Sequence, residues 1–218
     1  MMEHTGFTPW AVGTAIAVMG LLVAEYREHV QAKALFKTTA ALGFVGAGLA
    51  AGPWSDLWTT WIAVGLILSL IGDIALLPTG TGRSFYGGIA AFLLAHVAYA
   101  TAFFVLGIDL IWMGAAALLL VPTGLYIHRW LATDVPEKLR RPVGAYIIVI
   151  TWMVCAGLGA YGAHRGHILI PAAVLLFLAS DVAVATQRFK QPSFTNKLWG
   201  LPTYFTAQLL FALLCWAT

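Results

Sequence analysis

The chain is poor in charge and in cysteine. Only 10% of its 218 residues are charged, whereas a soluble domain carries about 25%. Since 61% of the residues are hydrophobic, we expect lipid rather than water to surround most of the chain. Cys155 and Cys215 fall in apolar runs and form no CxxC pair, which argues against a disulfide framework and a zinc site. The net charge of +3 is small and its basic residues lie in loops, which indicates membrane topology rather than a nucleic-acid partner.

Apolar runs long enough to cross a bilayer occur eight times, and their connections are too short for a soluble domain. We therefore predict an all-α integral membrane protein with a single polytopic domain, residues 1–218, because open strand edges would be unsatisfied in lipid. The first run has no basic leader, so we do not interpret it as a signal peptide. The eight predicted spans are roughly 8–24, 34–52, 57–77, 86–107, 110–128, 143–161, 166–187 and 198–217.

Basic residues are distributed unevenly between the connections. Ten Lys or Arg residues lie in or beside the odd-numbered connections, whereas only Arg165 lies in an even-numbered one. The positive-inside rule then places the odd connections in the cytoplasm and both termini outside. This bias favours the cytoplasmic membrane of a bacterium.

Two carboxylates fall inside apolar runs, Asp73 in LILSLIGDIALLP and Asp181 in VLLFLASDVAVATQRF. A carboxylate within a spanning helix costs roughly 2.5–3.5 kcal/mol and therefore marks a functional site. Both helices run from outside to inside, so we expect the two carboxylates roughly 6–9 Å below the cytoplasmic interface. They can face each other if the two helices pack together.

The segments around the two aspartates are similar, LSLIGDIALL and LLFLASDVAVA. Each is followed by a short basic connection and by a helix with aromatic and polar positions, Phe92 and His96 in one and Tyr204 and Gln208 in the other. Because four helices preserve direction, we infer two four-helix halves related by a parallel repeat. Chance similarity between apolar helices is the alternative.

Several further polar residues in the apolar runs have two interpretations each. Lys37 either extends to the interface or balances a buried carboxylate or a lipid phosphate. Arg188 is either a cytoplasmic anchor or a phosphate ligand, and His96 either joins helices or belongs to a site. The further groups that could donate hydrogen bonds to carboxylates or water, or simply connect helices, are those of Tyr146, Ser180, Tyr204 and Gln208.

Two apparent motifs are not interpreted as functional. GLGAYG at Gly157–Gly162 follows no strand, so it is not a dinucleotide site. His164 and His167 have no nearby carboxylate, so we expect no metal there. The sequence also contains no G-x-S-x-G motif and no catalytic Cys–His candidate.

The remaining motifs occur in a recognisable order. They are GD-x-x-L at Gly72–Leu76, F-x-x-G-x-x-x-F-x-x-x-H-x-x-Y at Phe85–Tyr99, SD at Ser180–Asp181, RF at Arg188–Phe189 and Y-x-x-A-Q at Tyr204–Gln208. In this order and spacing they resemble the YhhN-like transmembrane lysoplasmalogenase family. The resemblance extends from Lys37 to Gln208, with one departure: Thr38 follows Lys37 where the family usually has proline.

The resemblance implies an eight-helix membrane hydrolase without an organic cofactor. Its activity is cleavage of the vinyl ether bond of lysoplasmalogens, taken from the membrane, to a fatty aldehyde and glycerophospho-ethanolamine or -choline. It implies catalysis by Asp73 and Asp181. The surrounding residues that it implies are Lys37, His96, Tyr99, Ser180, Tyr204 and Gln208, to which the residue-based interpretation adds Tyr146 and Arg188 as substrate-binding candidates.

We expect two buried carboxyls near each other to share one proton. The protonated carboxyl would protonate the β-carbon of the vinyl ether, and the ionised one would stabilise the cation and activate water. The main competing function is that of a proton- or cation-coupled transporter, since intramembrane carboxylates and parallel repeats also suit carriers. Two further functions fit the same residues: a metal-dependent lipid hydrolase using Asp73, Asp181 and His96, and a structural or signalling membrane protein.

Overall fold

The computed structural model describes residues 6–52, 56–77 and 82–216, and all regular structure in these ranges is helical. The prediction of an all-α protein is confirmed for this part of the chain, and each predicted span overlaps one helix. Residues 1–5 and 217–218, on which the predicted location of the termini depends, lie outside the described residues. The helices are α1 (Phe7–Tyr26), α2 (Val30–Leu49), α3 (Leu57–Ala75), α4 (Arg83–Leu106), α5 (Leu110–Ala132), α6 (Glu137–Ala163), α7 (Leu169–Ala185) and α8 (Phe194–Leu214).

Six of the helices in the described ranges are long and apolar enough to cross a bilayer: α1, α3, α4, α5, α6 and α7 with the π-helical turn Thr186–Lys190 that extends it. The chain is therefore a multi-pass integral membrane protein. Helices α2 and α8 are less apolar because they carry Lys33 and Lys37, and Asn196 and Lys197, respectively. That α2 and α8 also cross the bilayer stays a prediction.

Small residues allow the helices to approach closely, and aromatic rings of one helix pack directly against glycines of its neighbour. A Cβ added at Gly65 of α3 would lie 2.3 Å from the Tyr99 ring, and one added at Gly72 would lie 2.7 Å from the Phe92 ring. A Cβ at Gly48 of α2 would lie 2.5 Å from Leu66. The small residues of α3 thus set the position of α4, whose side chains include the candidate site residues.

Contacts between helices recur after four helices. Helix α2 packs on α3 and also on α8, and its counterpart α6 packs on α7 and also on α4. This pattern supports the inferred pair of parallel four-helix halves. Among the described residues, two contacts are not repeated: α1 and α3 each pack on α8, whereas their counterparts α5 and α7 make no extensive contact with α4.

The two helices that carry the aspartates are not extensively packed against each other. Helix α8 contacts both α3 and α7 instead. Asp73 lies two residues before the end of α3, about 3 Å along the axis, which is closer to the helix end than the expected 6–9 Å. Asp181 lies farther from the end of its helix than expected, because the π-helical turn Thr186–Lys190 lengthens α7. The two carboxylates therefore approach a common space from helices that α8 separates.

Candidate active site

A cavity of about 360 Å³ lies at the end of the bundle where the odd-numbered connections are found. All eight helices contribute to its wall, which is mainly apolar. Both Asp73 and Asp181 line it, as do Lys37, Tyr146 and Tyr204. The structure thus brings the two predicted catalytic carboxyls to one cavity.

Asp73 is buried and held by two groups from different helices. The Lys37 Nζ atom lies 3.1 Å from Asp73 Oδ1, and the Tyr204 hydroxyl donates a hydrogen bond of 2.6 Å to Asp73 Oδ2. Of the interpretations of Lys37, the structure selects the counter-charge to a buried carboxylate. Both contacts stabilise the charged form of the Asp73 carboxyl and oppose the effect of its burial, which favours the neutral form.

The Tyr204 hydroxyl is oriented by a further polar pair. The Gln208 amide donates to Tyr204 Oη at 3.1 Å, and the Tyr99 hydroxyl donates to Gln208 Oε1 at 2.7 Å. The Tyr99 ring also stacks on Phe211, with ring centroids 4.0 Å apart. Tyr99 and Gln208 are fully buried and lie behind the cavity wall. Their predicted role in substrate binding stays a prediction, and the observed contacts connect them to Tyr204.

Asp181 has a different environment. The Tyr146 hydroxyl donates to Asp181 Oδ2 at 3.1 Å, and His96 Nε2 lies 3.3 Å from the same oxygen. The Asp181 side chain is 18% exposed, against 3% for Asp73. Asp181 is therefore the carboxyl that is more accessible from the cavity.

The position of the His96 ring determines where a proton lies. His96 Nδ1 is 2.6 Å from the carbonyl oxygen of Phe92, and because a carbonyl only accepts, Nδ1 carries a hydrogen. His96 Nε2 lies 3.3 Å from Asp181 Oδ2 but is not aligned for a hydrogen bond. A small rotation of either side chain would allow a proton to pass between them, so Asp181 and His96 form a candidate acid–base pair.

The two aspartates do not share a hydrogen bond with each other in the described part of the chain. They are connected through aromatic rings: Tyr204 contacts Phe177 with centroids 5.6 Å apart, and Phe177 contacts His96 at 4.6 Å. The expectation of one proton shared between the two carboxyls therefore receives no support from these contacts. Each carboxyl has its own partners, a lysine for one and a histidine for the other.

The partners of the two aspartates correspond to each other in the repeat. Lys37 on α2 and Tyr146 on α6 each bind the aspartate of the following helix, while Tyr204 on α8 and His96 on α4 reach across from the other half. Tyr204 follows His96 by the same number of residues by which the second aspartate follows the first. The sequence analysis matched His96 with Gln208, and the contacts instead match it with Tyr204.

Ser180 and Arg188 also line the cavity. The Ser180 hydroxyl donates to the Phe177 carbonyl of its own helix at 2.8 Å, so only its lone pairs are available to a ligand. The π-helical turn carries Arg188, whose guanidinium lies 4.3 Å from the centre of the Phe85 ring. The turn thus places a cation at the cavity mouth, where a phosphate could approach it.

A polar cluster that the sequence did not predict lies at this mouth. Glu25 Oε2 lies 3.1 Å from Lys33 Nζ and 2.8 Å from Lys197 Nζ, and the Asn196 amide lies 3.3 Å from Gln187 Oε1. These residues lie at the ends of α1, α2, α7 and α8, and each alone is an ordinary flanking residue. The alternation of basic connections was the only signal for them, because it placed these helix ends at one face.

A metal-binding cluster of three or more His, Cys, Asp or Glu side chains is not found among residues 6–52, 56–77 and 82–216. Asp73 binds Lys37 and lies apart from the Asp181–His96 pair. The donor set that a metal-dependent hydrolase would need from these residues is therefore not assembled.

Comparison with known proteins agrees with the resemblance in the motifs. The sequence model of the YhhN family matches residues 32–215. The chain belongs to the YhhN family. No solved structure matches it significantly.

Several curated relatives are named lysoplasmalogenases. Lysoplasmalogenase TMEM86A of Bos taurus is 31% identical over 159 residues, which are 71% of this chain and 64% of that protein. Lysoplasmalogenase TMEM86B of Homo sapiens is 32% identical over 156 residues, 72% of this chain and 63% of that protein. A lysoplasmalogenase of Mycobacterium bovis is 27% identical over 192 residues, 84% of this chain and 71% of that protein. The YhhN-family chain thus spans a little under two thirds of the two mammalian proteins.

Proposed function

We propose that this YhhN-family chain is a membrane lysoplasmalogenase, which hydrolyses the vinyl ether bond of a lysoplasmalogen to a fatty aldehyde and a glycerophospho-alcohol. The names of its relatives support the reaction, and they do not favour a transporter. The observation that carries the proposal is the pair of unequal carboxyls, one beside a lysine and one beside a histidine, at a single apolar cavity.

In the proposed first step, the Asp181–His96 pair gives its proton to the β-carbon of the vinyl ether. This forms a C–H bond from the double-bond electrons and leaves an oxocarbenium ion at the carbon bound to the ether oxygen. Asp181 is the member of the pair that the cavity reaches, while His96 replenishes its proton from behind. Tyr146 holds the carboxyl in place through its hydrogen bond.

Asp73 supplies the complementary charge. In its ionised form, stabilised by Lys37 and Tyr204, Asp73 would stabilise the oxocarbenium ion through its field without any rearrangement of the site. Water then adds to the cation, and the deprotonated Asp181–His96 pair accepts the proton released. The pair then gives this proton to the former ether oxygen as the hemiacetal C–O bond breaks, and it takes up the proton of the hemiacetal hydroxyl, which yields the alcohol and the aldehyde and leaves the pair protonated again. Overall, one vinyl ether and one water give one aldehyde and one alcohol, and the protein is unchanged.

The substrate's phosphate is placed at the cavity mouth in this proposal. Arg188 lies there, and the Lys37 side chain is 20% exposed, so both cations can contribute. The positive-inside rule places this end of the bundle at the cytoplasmic face of a bacterial inner membrane. Asp73 is two residues from the end of α3, about 3 Å along the axis. This depth suits an ether bond that lies just below a phospholipid headgroup.

The test is mass spectrometry of purified protein incubated with alkenyl, alkyl and acyl lysophospholipids of the same chain length. We expect fatty aldehyde from the alkenyl lipid and no turnover of the alkyl ether. Release of fatty acid from the acyl lipid alone, or uptake of substrate into proteoliposomes without product, would contradict the proposal.

A further inference from the structure

Helix α5 is the most loosely held helix in the described part of the bundle. Its only extensive contact is with α6, and its buried residues are Ala116, Gly124 and Leu131. The counterpart of α5 in the other half, α1, packs on α8 in addition to its own neighbour. By the symmetry of the repeat, α5 should pack extensively on α4. This contact is not formed.

The contact between α1 and α8 has a specific cause. Lys197 on α8 binds Glu25 on α1 at 2.8 Å, and next to them the Tyr26 and Phe194 rings lie 5.2 Å apart. These interactions close the groove between the two helices at their cavity end. An ion pair and an edge-on ring contact thus join this side of the bundle.

Within the described residues, no ion pair joins α4 to α5, because the residues at the corresponding positions differ. By the spacing that relates the two aspartates, Ile89 on α4 occupies the position of Lys197, and Thr133 occupies that of Glu25. Isoleucine and threonine cannot form a salt bridge. The corresponding groove between α4 and α5 is therefore not closed in the same way.

This groove is part of the cavity and is lined by apolar side chains. Ile89 and Phe92 of α4 and Leu120 and Ile127 of α5 line the cavity, and the Phe92 ring packs at the inner side of the groove, 5.9 Å from the Tyr204 ring. The hydroxyl of Thr123, the polar side chain of α5 at the cavity, donates to the Leu119 carbonyl of its own helix at 2.8 Å. The wall therefore offers hydrocarbon contact and no unsatisfied hydrogen-bond donor along α5.

Both ends of the groove are closed. At the cavity end, Leu131 of α5 packs in a small apolar cluster that includes Phe85 of α4. At the other end, the short connection through Gly107 and Asp109 joins the two helices, and the Asp109 amide binds the Gly159 carbonyl at 2.9 Å. The lined part of α5, from Leu120 to Leu131, is about 16 Å long. The feature is a lateral slot between two helices rather than a separation of the bundle.

We propose that this slot, between Ile89 and Phe92 on α4 and Leu120 and Ile127 on α5, binds the single hydrocarbon chain of a lysolipid and admits it sideways from the bilayer. The inference rests on the proposed function and adds to it where the chain lies. A chain in this slot points its polar end at the cavity mouth and passes Asp181, which lines the same cavity. The closed groove between α1 and α8 takes no chain.

Photo-crosslinking tests the position without requiring turnover. The probe is an alkyl-ether lysophospholipid with a diazirine at mid-chain, applied to the purified full-length protein in detergent. We expect labelled peptides from α4 and α5 that include Ile89 and Ile127, and we expect an unlabelled alkenyl lysolipid to suppress this labelling. Labelling confined to α1 and α8, or labelling that no lysolipid suppresses, would overturn the proposal.

Substitutions provide a second test. Ile127→Trp should narrow the slot and lower the hydrolysis of a long-chain alkenyl lysolipid by about tenfold. The larger ring would occupy space needed by the bound hydrocarbon chain and so weaken its binding. A short-chain substrate should be affected much less. The control is Leu125→Trp on the same helix, which adds the same ring at a residue 56% exposed on the outer face. Equal effects of the two variants on both substrates would contradict the slot.

If Ile127→Trp does not fold, Ile127→Ala replaces it, and the widened slot should increase turnover of a lipid with a bulky pyrene-labelled chain. Unchanged turnover of the pyrene-labelled lipid in Ile127→Ala would contradict the proposal. Failure of the proposed function gives a different result. In that case the natural protein releases no aldehyde from any alkenyl lysolipid, while crosslinking to α4 and α5 still reports whether the slot binds the chain.

Discussion

Replacing Lys37 by methionine removes the charge that balances Asp73 while keeping most of the side chain's volume. The Lys37 Nζ atom lies 3.1 Å from Asp73 Oδ1, and the aspartate side chain is only 3% exposed. Removing one partner of a buried pair typically costs about 3–5 kcal/mol, because the remaining charge is uncompensated. Since 20% of the lysine side chain is exposed, we expect the lower end, about 3 kcal/mol.

The double variant Lys37→Met/Asp73→Asn separates charge from packing. It removes both charges, so we expect it to recover most of the stability lost in Lys37→Met, although it should be inactive. The assay is the free energy of unfolding of the purified proteins in detergent, analysed as a double-mutant cycle. Lys33→Met is the matched control: it lies one turn earlier on α2, and Glu25 keeps Lys197 as a partner, so the expected loss is about 0–1 kcal/mol. Additive single effects in the cycle would refute the reasoning.

Three further predictions follow from the same contacts. Replacing either membrane aspartate by asparagine should abolish aldehyde release while the protein still inserts and folds, as measured by product formation and by gel filtration. Tyr204→Phe should lower the free energy of unfolding by about 1.5–3 kcal/mol, because it removes a hydrogen bond to a charged group, whereas Tyr126→Phe, at an exposed position of α5, should have no effect. The Lys190 amino group donates to Asp134 and lowers the pKa of that carboxyl. This contact should therefore stabilise the protein at neutral pH, and the stabilisation should be lost as the pH falls through the lowered pKa. In Asp134→Asn the unfolding temperature should not show this decrease at acidic pH.

The sequence predicted the helices and the two acids because their signals are local. Each apolar run of sufficient length indicates one helix. A carboxylate such as Asp73 or Asp181 within such a run is easily recognised, because burying it in lipid is energetically unfavourable. The family motifs added Tyr99 to the candidates. These signals need no knowledge of how the helices pack.

The pairing within the site could not be predicted in the same way. Lys37 could equally have extended to the interface, and only the packing of α2 on α3 brings it to Asp73. The equal spacing of His96 and Tyr204 from the two aspartates was present in the sequence, but a histidine and a tyrosine are dissimilar side chains and were not matched. The contacts match them, because each approaches the aspartate of the other half.

The cavity mouth escaped prediction for another reason. The π-helical turn Thr186–Lys190, which carries Arg188, has no recognised sequence signal. The groove between α4 and α5 depends on a contact that is missing, and a missing ion pair becomes evident only by comparison with Glu25 and Lys197 in the other half. Both features arise from the packing of distant segments rather than from any single run.

The central claim is that a carboxyl–histidine pair of the protein delivers a proton to carbon. The most direct measurement is the mass of the aldehyde formed from an alkenyl lysolipid in heavy water and trapped at once as its oxime. The account predicts that the carbon next to the carbonyl gains one deuterium from the solvent-exchanged pair, and that Asp181→Asn forms no such product. Aldehyde without deuterium at that carbon, or undiminished product from Asp181→Asn, would contradict it.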